Sequence, residues 1–307
     1  MLYFTKSYRF KRSLTLSVKV SLLATLSLLA SACNSLTPVV AAESPKAISA
    51  PSVALVLGGG GAKGFAHVGV IKVLEKNGIT PDLIVGTSSG SLVGSLYASG
   101  KSASELEDIA THVSNNELLD YSWSKQGFIE GLKLQNWVNT QVDNQPIEKL
   151  PIRFASVATD LTTKQKAVFD KGNTGLAVRA SSSVYGVFVP PRINNKRYGD
   201  GGLTSLVPVQ TAKQMGADII IAVDVSSPPK NSHPQDFWAL LDKTFAVIPN
   251  QANTAEIKLA DVVIRPAVGD IGTTNTIARE ATIKAGEIAT LAKLSDIEQK
   301  IGKFQKL

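Results

Sequence analysis

The sequence holds one cysteine and three histidines in 307 residues. A single cysteine excludes an internal disulfide framework and a cysteine-rich zinc site. His67, His112 and His233 stand far apart and form no close pair, so a histidine-based metal centre has no support. There is no Asp-rich cation loop either, and neither a metal nor a cofactor is implied. Charged residues make up only 19% of the chain against 44% hydrophobic, which excludes disorder throughout and leaves ample material for a core. No internal repeat is visible.

Acidic residues are missing from one place in particular, the first 32 positions, which carry Lys6, Arg9, Lys11, Arg12 and Lys19. Setting those five aside takes the basic count from 32 to 27, against 25 acidic residues, so the formal charge of +7 belongs mainly to this leader. A nucleic-acid-binding surface therefore loses its main support. The basic start runs into an apolar stretch from Val20 to Ala32. At roughly 13 residues it is too short to span a ~30 Å hydrocarbon core, and it ends in small residues as a cleavable export signal does.

Cys33, the only cysteine, follows Ala30-Ser31-Ala32 directly. This arrangement resembles the lipobox of bacterial lipoproteins, which implies removal of residues 1–32, acylation of Cys33 and attachment to a membrane. Each buried CH₂ of such an anchor contributes ~0.8 kcal/mol. By the same resemblance, Asn34 in place of Asp implies sorting to the outer membrane, facing the periplasm. Residues 34–51 are mostly small, with Pro and Ser interspersed, and read as a flexible tether of roughly 20–25 Å. A single folded domain is expected over 52–307.

Apolar, β-branched runs at 52–57, 82–85, 153–159, 166–169, 218–223 and 261–264 read as strands. Helical spacing is found at 64–77, 89–99, 103–113, 132–142, 174–182, 209–215 and along 277–303. The alternation implies βαβ units: an α/β fold with a central, mostly parallel sheet covered by helices on both faces. The apolar segment 117–138 reads either as a plain helical cover or as a mobile cap that meets lipid. Ser226–Asp236 reads as a loop.

Three motifs carry chemistry. Gly58-Gly59-Gly60-Gly61-Ala62-Lys63-Gly64 lies between a strand and a helix, where backbone N–H groups can converge on an anion. It formally fits G-x-G-x-x-G, but the next strand ends in Gly86-Thr87 and supplies no acidic residue for a ribose. A tight turn packing helix on strand remains an equally local reading. Gly86-Thr87-Ser88-Ser89-Gly90, again between strand and helix, is the G-x-S-x-G pattern of a nucleophile elbow, and its frame selects Ser88. Gly199-Asp200-Gly201-Gly202 is by itself no more than a turn.

Together, and in this order, the three resemble the patatin-like phospholipase family, whose three-layer α/β architecture is then expected. The resemblance implies Ser88 as nucleophile, Asp200 as its dyad partner and the amides of Gly59, Gly60 and Gly61 as oxyanion donors, with Lys63 beside them. The segment from Arg179-Ala180-Ser181 to Pro190-Pro191 resembles a further block of that family, with Tyr185 where the pattern has proline. Ser89, next after the nucleophile, adds an oxyanion N–H. With no histidine in an obvious third position, Asp200 takes the serine proton directly. At an ordinary pKa of ~3.9 it is a weak base, so much of the rate is expected from the oxyanion hole. His67 reads as packing beside the glycine loop, His112 as a helix-end cation, and His233 as the one alternative third member of a triad.

The expected function is that of a membrane-anchored serine acyl hydrolase acting on phospholipid or lysophospholipid. The alternatives are an acyltransferase or thioesterase with the same dyad, a non-catalytic lipid-binding lipoprotein, and more remotely a dinucleotide binder.

Overall fold

The computed structural model describes residues 51–226, 255–269 and 276–304. The leader 1–32, Cys33, the tether up to residue 50 and His233 lie outside the described residues. In chain order the strands are β1 (Val53–Leu57), β2 (Leu83–Thr87), β3 (Tyr121–Ser124), β4 (Gly127–Ile129), β5 (Arg153–Asp160), β6 (Gln165–Phe169), β7 (Arg192–Ile193), β8 (Lys196–Asp200), β9 (Ile219–Val223) and β10 (Val262–Ile264). The helices are α1 (Ala66–Lys76), α2 (Ser89–Ala98), α3 (Ala103–His112), α4 (Asn115–Leu118), α5 (Leu132–Gln141), α6 (Thr174–Ser181), α7 (Val209–Gln214), α8 (Thr276–Leu291) and α9 (Leu294–Phe304).

The main sheet runs β10-β9-β1-β2-β5-β8-β7, with β6 also paired to β5. The strands from β10 to β5 are parallel, as the βαβ alternation implies. The far edge is antiparallel: β6 and β8 both run against β5. A short link of four residues between β5 and β6 permits only a hairpin, because a parallel return needs a long crossover.

The parallel strands are apolar throughout because both faces are covered. Leu55, Leu57, Ile84 and Ile221 enter one core with α1, α2, α3, α6 and α8, while Ala54, Val56, Val85 and Ala222 enter a second core beneath α7. Each large side chain so buried contributes ~1.5–3 kcal/mol. Residues 48–307 form a compact unit containing both cores, so this unit holds what its own folding requires.

Two expectations need correction. The helical pattern along 277–303 is interrupted at 292–293, giving α8 and α9. Within 117–138 the segment is not helical throughout: a two-stranded sheet, β3 with β4, precedes α5.

Candidate functional site

The glycine loop follows β1 and Ser88 follows β2, so both sit at the carboxyl ends of parallel strands, where α/β sheets place their ligands. Ser88 has φ 53 and ψ −122 and stands immediately before α2. A side chain at positive φ costs ~1–3 kcal/mol and persists only where the surroundings enforce it. Three features enforce it here. Gly90 lies so near β1 that a Cβ there would come within 2.1 Å of the Leu57 carbonyl, which keeps α2 close. The Ser88 N–H donates to the Ser181 hydroxyl at 2.8 Å. Thr87 Oγ1 donates to the Ser205 carbonyl at 2.9 Å, and Ser205 Oγ donates in turn to Glu256 at 2.8 Å.

Asp200 ends β8. On β5, Val157 faces Thr87 of β2, and the next residue, Ala158, faces Asp200 of β8. Two strands distant in sequence thus finish on consecutive positions of one ladder, which brings Ser88 and Asp200 together. Gly201 completes the junction: a Cβ there would lie 2.1 Å from the Val157 carbonyl, so no side chain fits.

Ser88 and Asp200 are both buried, at 5% and 2% exposure. Asp200 Oδ1 accepts the Gly202 N–H at 2.7 Å, whereas buried Oδ2 has no hydrogen-bond partner. Loss of water raises the carboxyl to about 7; the nearby Ser88 hydroxyl and the Gly202 amide oppose that rise without cancelling it. The Ser88 hydroxyl does so from a position that does not meet hydrogen-bond geometry at Oδ2. The expectation of an ordinary, weakly basic aspartate is therefore corrected, and burial is the cause.

The oxyanion set also needs correction. The Gly59 N–H donates to the Leu206 carbonyl at 2.9 Å, which takes that amide out of the expected group. The amides of Gly60, Gly61 and Ser89 find no acceptor among the described residues. Gly61 and Ser89 line a pocket with Ser88, while Gly60 packs toward Val225. Ser89 opens α2, so the positive end of that helix also faces the site. Lys63 is buried in the 3-10 turn Gly61–Phe65, where its own N–H bonds the Gly60 carbonyl.

The pocket measures about 160 Å3 and is mostly apolar, with Phe65, Leu92, Val93, Leu118, Leu119 and Phe188 in its walls. Arg279 of α8 reaches it as well, with its guanidinium over the Phe65 ring and bonded to the Val113 carbonyl at 2.6 Å. That arginine closes the carboxyl end of α3.

His67 is fully buried beside the glycine loop, with Nε2 donating to the Gly58 carbonyl at 2.8 Å. Burial lowers its pKa to about 4, and the ring is neutral at pH 7. His112 ends α3 on the surface, next to Asp108. Among the described residues no cluster of three or more His, Cys, Asp or Glu could hold a metal ion.

Ser181, Ser205, Glu256 and Arg279 are supporting residues that motif reading did not assign. Ser181 alone carried a local signal, through its place in the Arg179-Ala180-Ser181 block.

The family model for patatin-like phospholipase matches residues 55–213, a span that includes the glycine loop, Ser88 and Asp200. An uncharacterized NTE family protein of Mycobacterium bovis is 34% identical over 207 residues, covering 64% of this chain and 56% of that protein. Lysophospholipase NTE1 of Debaryomyces hansenii is 35% identical over 226 residues, 69% of this chain but 15% of its own length. The chain thus spans about half of the first relative and a small part of the second. VipD from Legionella pneumophila superposes with a TM-score of 0.57 at 15% identity, over 81% of this chain and 67% of that one, a likeness of fold.

Proposed function

This chain belongs to the patatin-like phospholipase family, and on that premise we propose that it is a serine acyl hydrolase cleaving carboxyl esters of phospholipids or lysophospholipids. The observation that carries this reading is the buried Asp200 carboxyl beside Ser88, raised to about 7 and with its Oδ2 unpartnered. A base tuned near the working pH is what direct activation of a serine hydroxyl requires.

In the proposed reaction the acyl chain occupies the apolar pocket and the ester carbonyl lies over Ser88. Ser88 Oγ bonds to the carbonyl carbon as its proton passes to Asp200. The amides of Gly61 and Ser89, with Gly60 close by, stabilise the oxyanion; one such donor is worth ~2.7–4 kcal/mol in comparable sites. Collapse expels the alcohol, which takes the proton back from Asp200 and leaves an acyl-serine. Water then loses a proton to Asp200 as its oxygen attacks the acyl carbon; collapse breaks the bond to Ser88 Oγ, which takes the proton back from Asp200 as the fatty acid leaves.

The sequence of the leader supports a second part of the reading. We infer that Cys33 is acylated after removal of residues 1–32 and holds the enzyme at the outer membrane, facing the periplasm. Palmitate incorporation that Cys33→Ser abolishes would support this; unchanged incorporation would refute it.

The hydrolase is tested with a fluorescent fluorophosphonate on the wild type, Ser88→Ala and Asp200→Asn. Labelling is expected in the wild type, absent in Ser88→Ala and strongly slowed in Asp200→Asn. Equal labelling of all three would overturn the assignment.

A further inference from the structure

The β3–β4 hairpin carries an unusual surface. Tyr121, Trp123 and Phe128 all stand exposed, with Trp123 fully in solvent, and Tyr185 is exposed in the segment that the hairpin bonds to. Such a cluster of large apolar side chains on a folded surface marks a place of contact.

Cations gather at its turn. Lys125 lies exposed in the hairpin turn. The Arg197 guanidinium bonds the side chain of Gln126 in the same turn, and Arg192 is directly across the β7–β8 ladder from Arg197. Tyr and Trp beside lysine and arginine at the hairpin turn match the boundary between lipid headgroups and acyl chains, while Asp120 and Glu130 stand at the opposite, base end of the hairpin. A twofold pairing with a second copy would instead bring these like charges together.

The hairpin is also part of the pocket wall. The Phe128 N–H donates to the Val187 carbonyl at 2.8 Å, and the Val189 N–H donates to the Ile129 carbonyl at 2.8 Å. Behind it Ile129 packs with Leu119, Val184 and Phe188, and these last three line the pocket that holds Ser88. Leu118 and Leu119 connect the pocket to the start of β3.

We propose that the β3–β4 hairpin docks the protein on an anionic lipid surface, with Trp123, Tyr121 and Phe128 entering the interface and Lys125, Arg192 and Arg197 meeting the headgroups. This rests on the reading of the adjoining site as a lipid ester hydrolase. Docking there sets the pocket mouth against the bilayer, so that an acyl chain passes from lipid to pocket along an apolar wall. It requires no anchor at Cys33.

The test uses residues 48–307 carrying Ser88→Ala, so that no turnover alters the vesicles. Flotation with phosphatidylcholine vesicles containing phosphatidylglycerol is expected to show binding that Trp123→Asp weakens about tenfold or more. Lys125→Glu is expected to weaken it about fivefold, and only on the anionic vesicles. With Ser88 restored, Trp123→Asp should cleave a soluble short-chain ester at the parent rate, which also reports that it folds, while losing activity on vesicles. Equal vesicle binding by Trp123→Asp and its parent would overturn the proposal. So would a Trp123-dependent dimer in sedimentation without vesicle binding. Trp123-dependent binding with no cleavage of either ester would uphold the docking surface and overturn the hydrolase reading.

Discussion

The backbone N–H of Ser88 donates to the hydroxyl of Ser181 at 2.8 Å, and that hydroxyl donates onward to the Val157 carbonyl. A residue held at positive φ is thereby tied to the central strand β5 through one side chain from α6. Replacing Ser181 with Ala removes both bonds and leaves the Ser88 N–H without its partner. The expected result is a fall in kcat of at least about tenfold with KM nearly unchanged, and a stability loss of about 1–3 kcal/mol. Steady-state kinetics on a soluble ester, with urea unfolding alongside, checks this. A proportionate rise in KM with unchanged kcat would contradict the positioning role.

Asp200 should impose a pH profile on the reaction. Only its carboxylate accepts a proton, and burial sets its pKa at about 7. On an uncharged soluble ester, kcat/KM is expected to rise through a single ionisation near pH 7 and level off above it. A midpoint near 4 would mean that water reaches the carboxyl in the working enzyme.

The same shift acts on stability with a definite sign. The folded pKa of Asp200 lies above the ordinary carboxyl value of 3.8, so the fold favours the neutral acid. That contribution is fully present below pH ~4 and is lost as pH rises through about 7. Asp200→Asn is neutral at every pH and keeps an oxygen to accept the Gly202 N–H. It should be inactive, yet more stable than the wild type at pH 8 by on the order of 2–4 kcal/mol. Urea titrations at about pH 4.5 and 8 should show a gap several times larger at the higher value.

His67 acts in the opposite direction. Its pKa falls from 6.5 to about 4 because the ring is buried, so the fold favours the neutral form. Its contribution is present above pH 6.5 and is lost as pH falls through about 4. His67→Gln, which can still donate to the Gly58 carbonyl, should flatten that acid-side decline. Thermal melts of both proteins across the acid range measure it, and an unchanged slope would place the acid sensitivity elsewhere.

The legible part of this fold is local. β1, β2 and β9 are short apolar runs because helices cover both of their faces. The direction of β6 was hidden in a general alternation of strands and helices, although the short turn before it required a hairpin. β3 and β4 were hidden among the apolar residues of 117–138, where Tyr121 and Trp123 do alternate as a strand does. The break between α8 and α9 falls at Ala292-Lys293, with neither glycine nor proline to announce it.

The bend at Ser88 could be read directly, because a strand, two glycines around a serine and a helix start constrain one another within a few residues. The company Ser88 keeps could not. Asp200 reaches it only because Val157 and Ala158 of β5 receive the ends of two different strands. The basicity of Asp200 comes from exclusion of water by residues scattered along the chain, and the loss of the Gly59 amide comes from the Leu206 carbonyl. Backbone conformation depends on nearest neighbours and can be read along the sequence. Solvation and hydrogen-bond competition depend on whatever packs alongside, and tertiary structure alone decides that.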